Sequence, residues 1–268
     1  MQKIMNQTVV AVRGGGDIGT GVAHRLFRCG FKVIVLEASQ PTVIRRKVSF
    51  AQAVYSGRIE VEGTAAVLIP DPEKTKEIWQ DKCVPVLVDP DLSSLKTIQP
   101  QVLVEATLSK KNTCMSLNLA PLTIALGPGF TAGKDVDIVI ETMRGHNLGR
   151  IIEKGAAAAN TGIPEPVLGY TEKRVLRAPC DGVVKKGLII GTAVNKGDSV
   201  CLVENKPVTS AVSGVLRGCI MNDLQVKKGA KIGDVDPRGI TEYCFTISDK
   251  ARAIGGSVLE AIFNRITK

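Results

Sequence analysis

Aromatic side chains are scarce: six Phe, three Tyr and one Trp make up 4% of the 268 residues. Binders of single-stranded nucleic acid stack bases on such rings, so the formal charge of +9 is not read as a nucleic-acid footprint. Histidine is scarcer still, with only His24 and His146. The seven cysteines, at 29, 83, 114, 180, 201, 219 and 244, form no Cys-x-x-Cys pair. Zinc and iron–sulfur sites need clustered ligands, so no intrinsic metal is expected. No apolar run approaches the roughly 18 residues of a membrane span, and the first residues have no signal-peptide apolar core. A cytoplasmic protein without a membrane partner is therefore expected. There is no Gly-x-Ser-x-Gly, no Walker lysine and no His-Glu-x-x-His. Hydrolases and kinases of the common types lose their support.

What the chain does have is a glycine-rich turn in the right surroundings. An apolar run at 8–12 leads into Arg13-Gly14-Gly15-Gly16-Asp17-Ile18-Gly19. Ala23, Leu26 and Gly30 then mark a helix face and its stop. A second apolar run, 31–36, ends in Glu37, 18 residues past Gly19. A ribose-binding acid is expected roughly 20 residues past a dinucleotide fingerprint. In such a fingerprint Gly14 permits the tight turn, Gly16 lets backbone approach a pyrophosphate, and Gly19 lets helix pack on strand. The helix amino end, with its free N–H groups, faces the phosphates.

Further short aliphatic runs at 84–88, 102–106, 122–126 and 137–140 suit buried parallel strands, giving a doubly wound, Rossmann-like α/β fold. Ligands bind such sheets beyond the carboxyl ends of the strands. The residues found there are Asp89; then Thr107, Lys110, Lys111 and Asn112; then Gly127-Pro128-Gly129; then Glu141, Thr142, Arg144, Gly145 and His146. His146, Glu141 and Lys111 are the candidates for proton transfer, with a hydrogen-bonded loop histidine as the alternative for His146. Cofactor contacts are expected from Arg13, from Gly14 to Gly19 (with Gly15, Gly16, Asp17 and Ile18 between), and from Glu37, Gly127 and Gly129. Arg45 and Arg46 are further candidates as guanidinium grips on phosphate. Glu37 favours NAD, whereas Arg45 and Arg46 would favour NADP. Cys114 and Cys180 are either reactive thiols or inert ones.

The second half changes rhythm after the turn-rich 160–166. Ala178-Pro179-Cys180-Asp181-Gly182-Val183-Val184 is echoed by Ala211-Val212-Ser213-Gly214-Val215-Leu216, and Val194-Asn195-Lys196-Gly197 by Val226-Lys227-Lys228-Gly229. Both echoes have an offset of 32 residues. Two copies of a short β unit suggest a pseudo-twofold barrel. The pattern resembles the biotinyl/lipoyl-type hybrid barrel, whose carrier lysine lies on a hairpin. Lys206 takes the equivalent place, but the flanking methionines are missing and Pro207 follows, so its modification is not expected. Residues 1–165 are thus expected as a Rossmann-like dinucleotide-binding domain and 172–240 as the barrel. Residues 241–268 are expected as a helical segment packed back on the first domain. Residues 172–268 carry +6 of the charge against +3 for the rest, which suits an acidic partner or a phosphorylated ligand as well as a solvated face.

Several longer stretches resemble one bacterial family. They are Arg13 through Gly21, Ile44-Arg45-Arg46-Lys47-Val48-Ser49-Phe50-Ala51-Gln52-Ala53-Val54, Gly127-Pro128-Gly129-Phe130-Thr131-Ala132-Gly133, Glu141-Thr142-Met143-Arg144-Gly145-His146-Asn147-Leu148-Gly149-Arg150, Gly233-Asp234-Val235-Asp236-Pro237-Arg238 and Ile247-Ser248-Asp249-Lys250-Ala251-Arg252-Ala253-Ile254-Gly255-Gly256. The chain is similar over nearly its whole length to YqeB-type accessory proteins of the selenium-dependent molybdenum hydroxylase system. It shares a theme with XdhC-type accessory proteins, which handle molybdenum cofactor. The resemblance implies a maturation role, with a molybdenum hydroxylase as client, and the glycine-rich cleft would then hold a dinucleotide: molybdopterin cytosine dinucleotide, NAD or NADP. It carries over no catalytic assignment. An NAD(H)-dependent oxidoreductase acting on a small molecule, or in selenium or sulfur chemistry, is the alternative. A homo-oligomer is compatible with either.

Overall fold

Aliphatic runs that leave no polar face become strands covered on both sides, and Val10, Ala11 and Val12 are wholly buried. The computed structural model describes residues 2–266. Two units emerge: Met1–Pro41, Ser49–Asn160 and Ile247–Lys268 form one, and Thr42–Val48 with Thr161–Thr246 form the other.

The first unit holds β1 (Val9–Arg13), β2 (Lys32–Glu37), β3 (Arg58–Val61), β4 (Thr64–Ile69), β5 (Val84–Val88), β6 (Val102–Glu105), β7 (Leu122–Leu126), β8 (Thr131–Ala132), β9 (Ile138–Ile140), β10 (Ile151–Ile152) and β11 (Gly155–Ala156). Its helices are α1 (Gln2–Gln7), α2 (Asp17–Arg28), α3 (Ala53–Ser56), α4 (Thr75–Gln80), α5 (Leu95–Ile98) and α6 (Asp249–Ile266). Nine strands pair in the order β10-β9-β7-β6-β1-β2-β5-β4-β3. All neighbours from β9 to β4 are parallel. Antiparallel β10 and β3 close the two edges.

Set aside the β3–β4 hairpin, added at one edge, and the remaining six parallel strands follow the doubly wound order 3-2-1-4-5-6. The order reverses at β1, whose neighbours are β2 and β6. One sheet face builds its core from Ala11, Ile34, Leu36, Leu103, Ala125 and Val139, joined by Leu95, Met115 and Phe130. The opposite face is covered by α2 over β1 and β2 and by α6 over β7 and β9. The two helices pack closely because Gly21 and Gly255 lack side chains there: a Cβ on Gly21 would sit 2.7 Å from Ala251 Cβ.

The second unit holds β12 (Val175–Arg177), β13 (Gly182–Lys185), β14 (Ala193–Val194), β15 (Ser199–Val203), β16 (Lys206–Thr209), β17 (Gly214–Cys219), β18 (Gln225–Val226) and β19 (Lys231–Asp236). They form two four-stranded sheets, β12-β19-β17-β14 and β16-β15-β13-β18. Exchanging the two copies of the repeat, 32 residues forward for β12 and β14 and 32 back for β17 and β19, turns the first order into the second. The repeat read from sequence is therefore a two-sheet structure in which each sheet takes strands from both copies. Between β15 and β16 the tip is Glu204-Asn205, both left-handed at φ 47° and 65°. Lys206 lies past the tip, paired with Val203 inside the strand ladder.

Two short segments lie outside the boundaries expected from sequence. Thr42–Val48 belongs to the second unit because Ile44 fills the space left by Gly218, and Arg45 and Arg46 bond to carbonyls of that unit. The turn Thr241–Cys244 also belongs there, with Cys244 buried against Leu216 O.

Candidate functional site

β1 delivers Arg13 and Gly14 to the point where the strand order reverses. Gly14 is left-handed at φ +93°, and its N–H donates to Leu36 O at 2.8 Å. A Cβ there would lie 2.9 Å from the Thr107 nitrogen, so glycine lets the end of β6 close against the turn. Gly15 donates its N–H to Glu37 Oε2 at 2.7 Å. Its carbonyl accepts from Ala51 N and Thr20 Oγ1, each at 2.9 Å. Gly16 is the N-cap residue of α2 and brings no side-chain cap of its own. The first N–H groups of a helix have no acceptor within it, so this end offers donors and a positive dipole. Asp17, the acid of the first turn, occupies the same field. Gly19 lies so close under Gly14 that a Cβ would sit 1.9 Å from Gly14 O.

Glu37 ends β2 beside this turn. Burial pushes its carboxyl above the ordinary carboxylate range, against the pull of the Ala38 and Gly15 N–H groups and the Arg13 charge. Each carboxylate oxygen takes one backbone bond, from Gly15 or from Ala38, and retains a lone pair for another donor.

On the other side of the reversal, Glu105 at the end of β6 is 1% exposed. Its Oε2 accepts from Arg13 at 2.6 Å, and its Oε1 from the Thr107 N–H at 2.8 Å and hydroxyl at 2.5 Å. Arg13 also reaches Pro90 O at 3.3 Å and Thr113 Oγ1 at 3.4 Å. The arginine read as a ligand group is thus a cross-strand tie between the ends of β1, β5 and β6. Glu105 was not among the residues read from sequence. Its signal was there, as the one acid inside the aliphatic stretch 102–106.

The loops after β6, β7 and β9 interlock through bare glycines. A Cβ on Gly129 would meet the Lys110–Lys111 peptide at 2.4 Å, and one on Gly127 would meet Thr142 Oγ1 at 2.5 Å. Lys111 stands exposed on this shelf. Glu141 does not face it as an available acid. It is buried, with Oε1 accepting from Met143 N and Oε2 from Ala158 N, each at 2.7 Å. His146 is exposed on the following turn, where Leu148 N bonds Gly145 O. Arg45 and Arg46 belong to the second unit. Arg45 donates to Tyr243 O and Thr246 O, and Arg46 to Cys219 O. Of the sequence candidates, Arg13, Gly14 to Gly19 and Glu37 come together at the ends of β1 and β2, and Lys111, Gly127 and Gly129 on the shelf. Cys114 is exposed in the loop after β6, and Cys180 is half-buried with its Sγ at 3.6 Å from Val203 O. Among the described residues, no group of three or more His, Cys, Asp or Glu is placed to hold a metal. No helix among them is long and apolar enough to cross a membrane.

No family model matches the chain. It is 47% identical over 254 residues to the uncharacterized protein YqeB of Escherichia coli (strain K12), an alignment covering 95% of this chain and 47% of that protein. The chain thus spans about half the length of that relative, and the identity supports the YqeB resemblance drawn from its motifs. Among solved structures, the product-bound ectoine utilization protein EutE (DoeB) from Ruegeria pomeroyi is 11% identical, with a TM-score of 0.27 over 85% of this chain and 84% of that one. The tRNA N6-threonylcarbamoyladenosine dehydratase TcdA of E. coli is 9% identical, with a TM-score of 0.34 over 100% of this chain and 91% of that one.

Proposed function

We propose that the chain binds a dinucleotide at the glycine turn between β1 and α2, and that it serves a selenium-dependent molybdenum hydroxylase as an accessory protein. The observation that carries the binding half is the glycine N-cap of α2 at the strand-order reversal, with Glu37 tied to the same turn. The turn fits the ligand: the N–H groups of the glycine turn at the start of α2 suit a pyrophosphate, and the spare lone pairs of Glu37 suit ribose hydroxyls. The half-buried carboxylate of Glu37 disfavours a 2′-phosphate, which ranks NAD and molybdopterin cytosine dinucleotide above NADP. The client half follows from the YqeB resemblance. In the same reading the second unit is a hybrid barrel of the biotinyl/lipoyl type, supported by the exchange of its sheets under the repeat, with Lys206 unmodified.

The test is a thermal-shift panel of NAD, NADP, FAD, CTP and molybdopterin cytosine dinucleotide, repeated on Gly16→Val. A ligand at about 100 times its Kd adds roughly 2.7 kcal/mol, a shift of several degrees. A shift with one dinucleotide that Gly16→Val abolishes supports the site. Equal shifts in both proteins, or none in either, reject it. Retention of a molybdenum hydroxylase on the immobilised chain tests the client separately.

A further inference from the structure

Cys201 and Cys219 are 18 positions apart in sequence, with no motif linking them. The fold sets them against each other. Cys201 lies on β15 in one sheet of the second unit, and Cys219 ends β17 in the other. Leu188 N donates to Val200 O at 2.9 Å, which lays residues 187–188 beside 200–201. A Cβ added to Gly187 would sit 3.4 Å from Cys219 Sγ, so that sulfur lies directly over the bare backbone of residue 187. Residue 187 thus has Cys219 Sγ on one side and the Val200–Cys201 stretch on the other, so the two thiols are neighbours across the sheets, 2% and 1% exposed.

We infer that Cys201 and Cys219 form a dithiol that hydrogen peroxide, a small neutral oxidant, converts to a disulfide joining the two sheets of the second unit. The pair is chemically unequal. The Cys201 hydrogen bond pulls Cys219 down, against burial and with help from the Arg46 charge. The same hydrogen bond, with burial, pushes Cys201 up. Arg46 is fixed there by its Nε bond to Cys219 O at 2.7 Å and by contact with Met221 Sδ at 3.5 Å. Cys219 is therefore the attacking sulfur, as a thiolate is the nucleophile.

The thiolate attacks one peroxide oxygen, the O–O bond breaks, and hydroxide leaves and takes up the proton that Cys219 released. The Cys201 sulfur then attacks the Cys219 sulfenic acid. The S–O bond breaks, the S–S bond forms, and the Cys201 proton departs with the hydroxyl as water. Two thiols lose two electrons in all, and one hydrogen peroxide becomes two waters.

The experiment uses the reduced chain of 268 residues. It is treated with hydrogen peroxide, quenched with catalase, alkylated in denaturant and digested for mass mapping. The expected product is a peptide pair joined through Cys201 and Cys219, reversed by dithiothreitol, with Cys83 and Cys244 still fully alkylated. In Cys201→Ser, dimedone should label Cys219. The inference is overturned if Cys201 and Cys219 stay alkylated at a dose that oxidises exposed Cys114, or if either is joined to a different cysteine. The wild-type map decides this even where a serine variant does not fold.

Discussion

At Gly19 a single hydrogen stands where any other residue would place a carbon 1.9 Å from Gly14 O and 3.1 Å from Ala106 Cβ. The neighbours are a backbone carbonyl and a strand-end methyl, neither of which can swing away. Gly19→Ala should therefore cost about 3 kcal/mol, the upper range of overpacking. Urea unfolding followed by Trp79 fluorescence would read it. Trp79 is the sole Trp and is anchored in the first unit by its bond to Val33 O. An unchanged midpoint would mean that α2 does not press on the glycine turn. This packing role of Gly19, and the strand-end place of Glu37, were legible because both follow from spacing alone. The fate of Arg45, Arg46 and Glu141 was not. Their partners are backbone groups at Tyr243, Thr246, Cys219, Met143 and Ala158, and sequence carries no mark of which carbonyl or N–H a long polar side chain will meet.

Among elements, the six aliphatic strands read from sequence are present, whereas the β3–β4 hairpin was missed. Asn-Gly is the usual signal for its tight turn. Here Glu62 takes the first left-handed position at φ 45°, ahead of Gly63 at 74°, held by Ile247 N and Arg252 bonds to its carboxylate. The packed pair α2 and α6 shows how a glycine's surroundings set the sign of a substitution. On α2, Gly21→Ala would drive a methyl into Ala251, whose Cβ is 2.7 Å from the new carbon. On α6, a Cβ at Gly256 meets only Arg25 Nη1, at 3.9 Å. Gly21→Ala should cost about 1–3 kcal/mol, whereas Gly256→Ala should gain about 0.5–1 kcal/mol from reduced backbone entropy in the unfolded chain. Thermal unfolding of the two variants side by side checks the pair. A fall in Tm for both would mean that α6 is closed on the Gly256 side as well.

For the whole molecule, strand order was beyond the sequence because it depends on which distant strands pair. The repeat offset was not, and it reappears in the second unit, where each of the two sheets takes strands from both copies. Acid titration sums over the molecule, and its components differ in sign. Burial holds His24 below its ordinary value, aided by Arg28 and Arg252 and opposed by the Glu62 carbonyl and charge. A histidine kept neutral contributes stability that is lost as pH falls through its unfolded value near 6.5 toward its folded one. Asp236 is pulled up by burial, but the Arg238 bonds and the Arg217 and Arg238 charges outweigh this and hold it low. Its contribution is present above its unfolded value near 3.9 and is lost as pH falls through the folded value. Glu37 runs the other way, since a raised carboxyl favours folding at low pH and loses that advantage as pH rises through its folded value. Stability should therefore fall on acidification in two stages, from His24 as pH drops below its unfolded value of about 6.5 and from Asp236 as pH drops below about 3.9. His24→Gln should flatten the first stage in Trp79 fluorescence, because both residues belong to the first unit. Asp236→Asn should flatten the second stage in far-UV circular dichroism. It should also cost about 2 kcal/mol at pH 7, because Arg238 and Arg217 lose a buried charged acceptor while Arg217 keeps Asp234. If Asp236→Asn keeps the wild-type acid limb, the arginine–aspartate ladder of β17 and β19 is not what acid breaks.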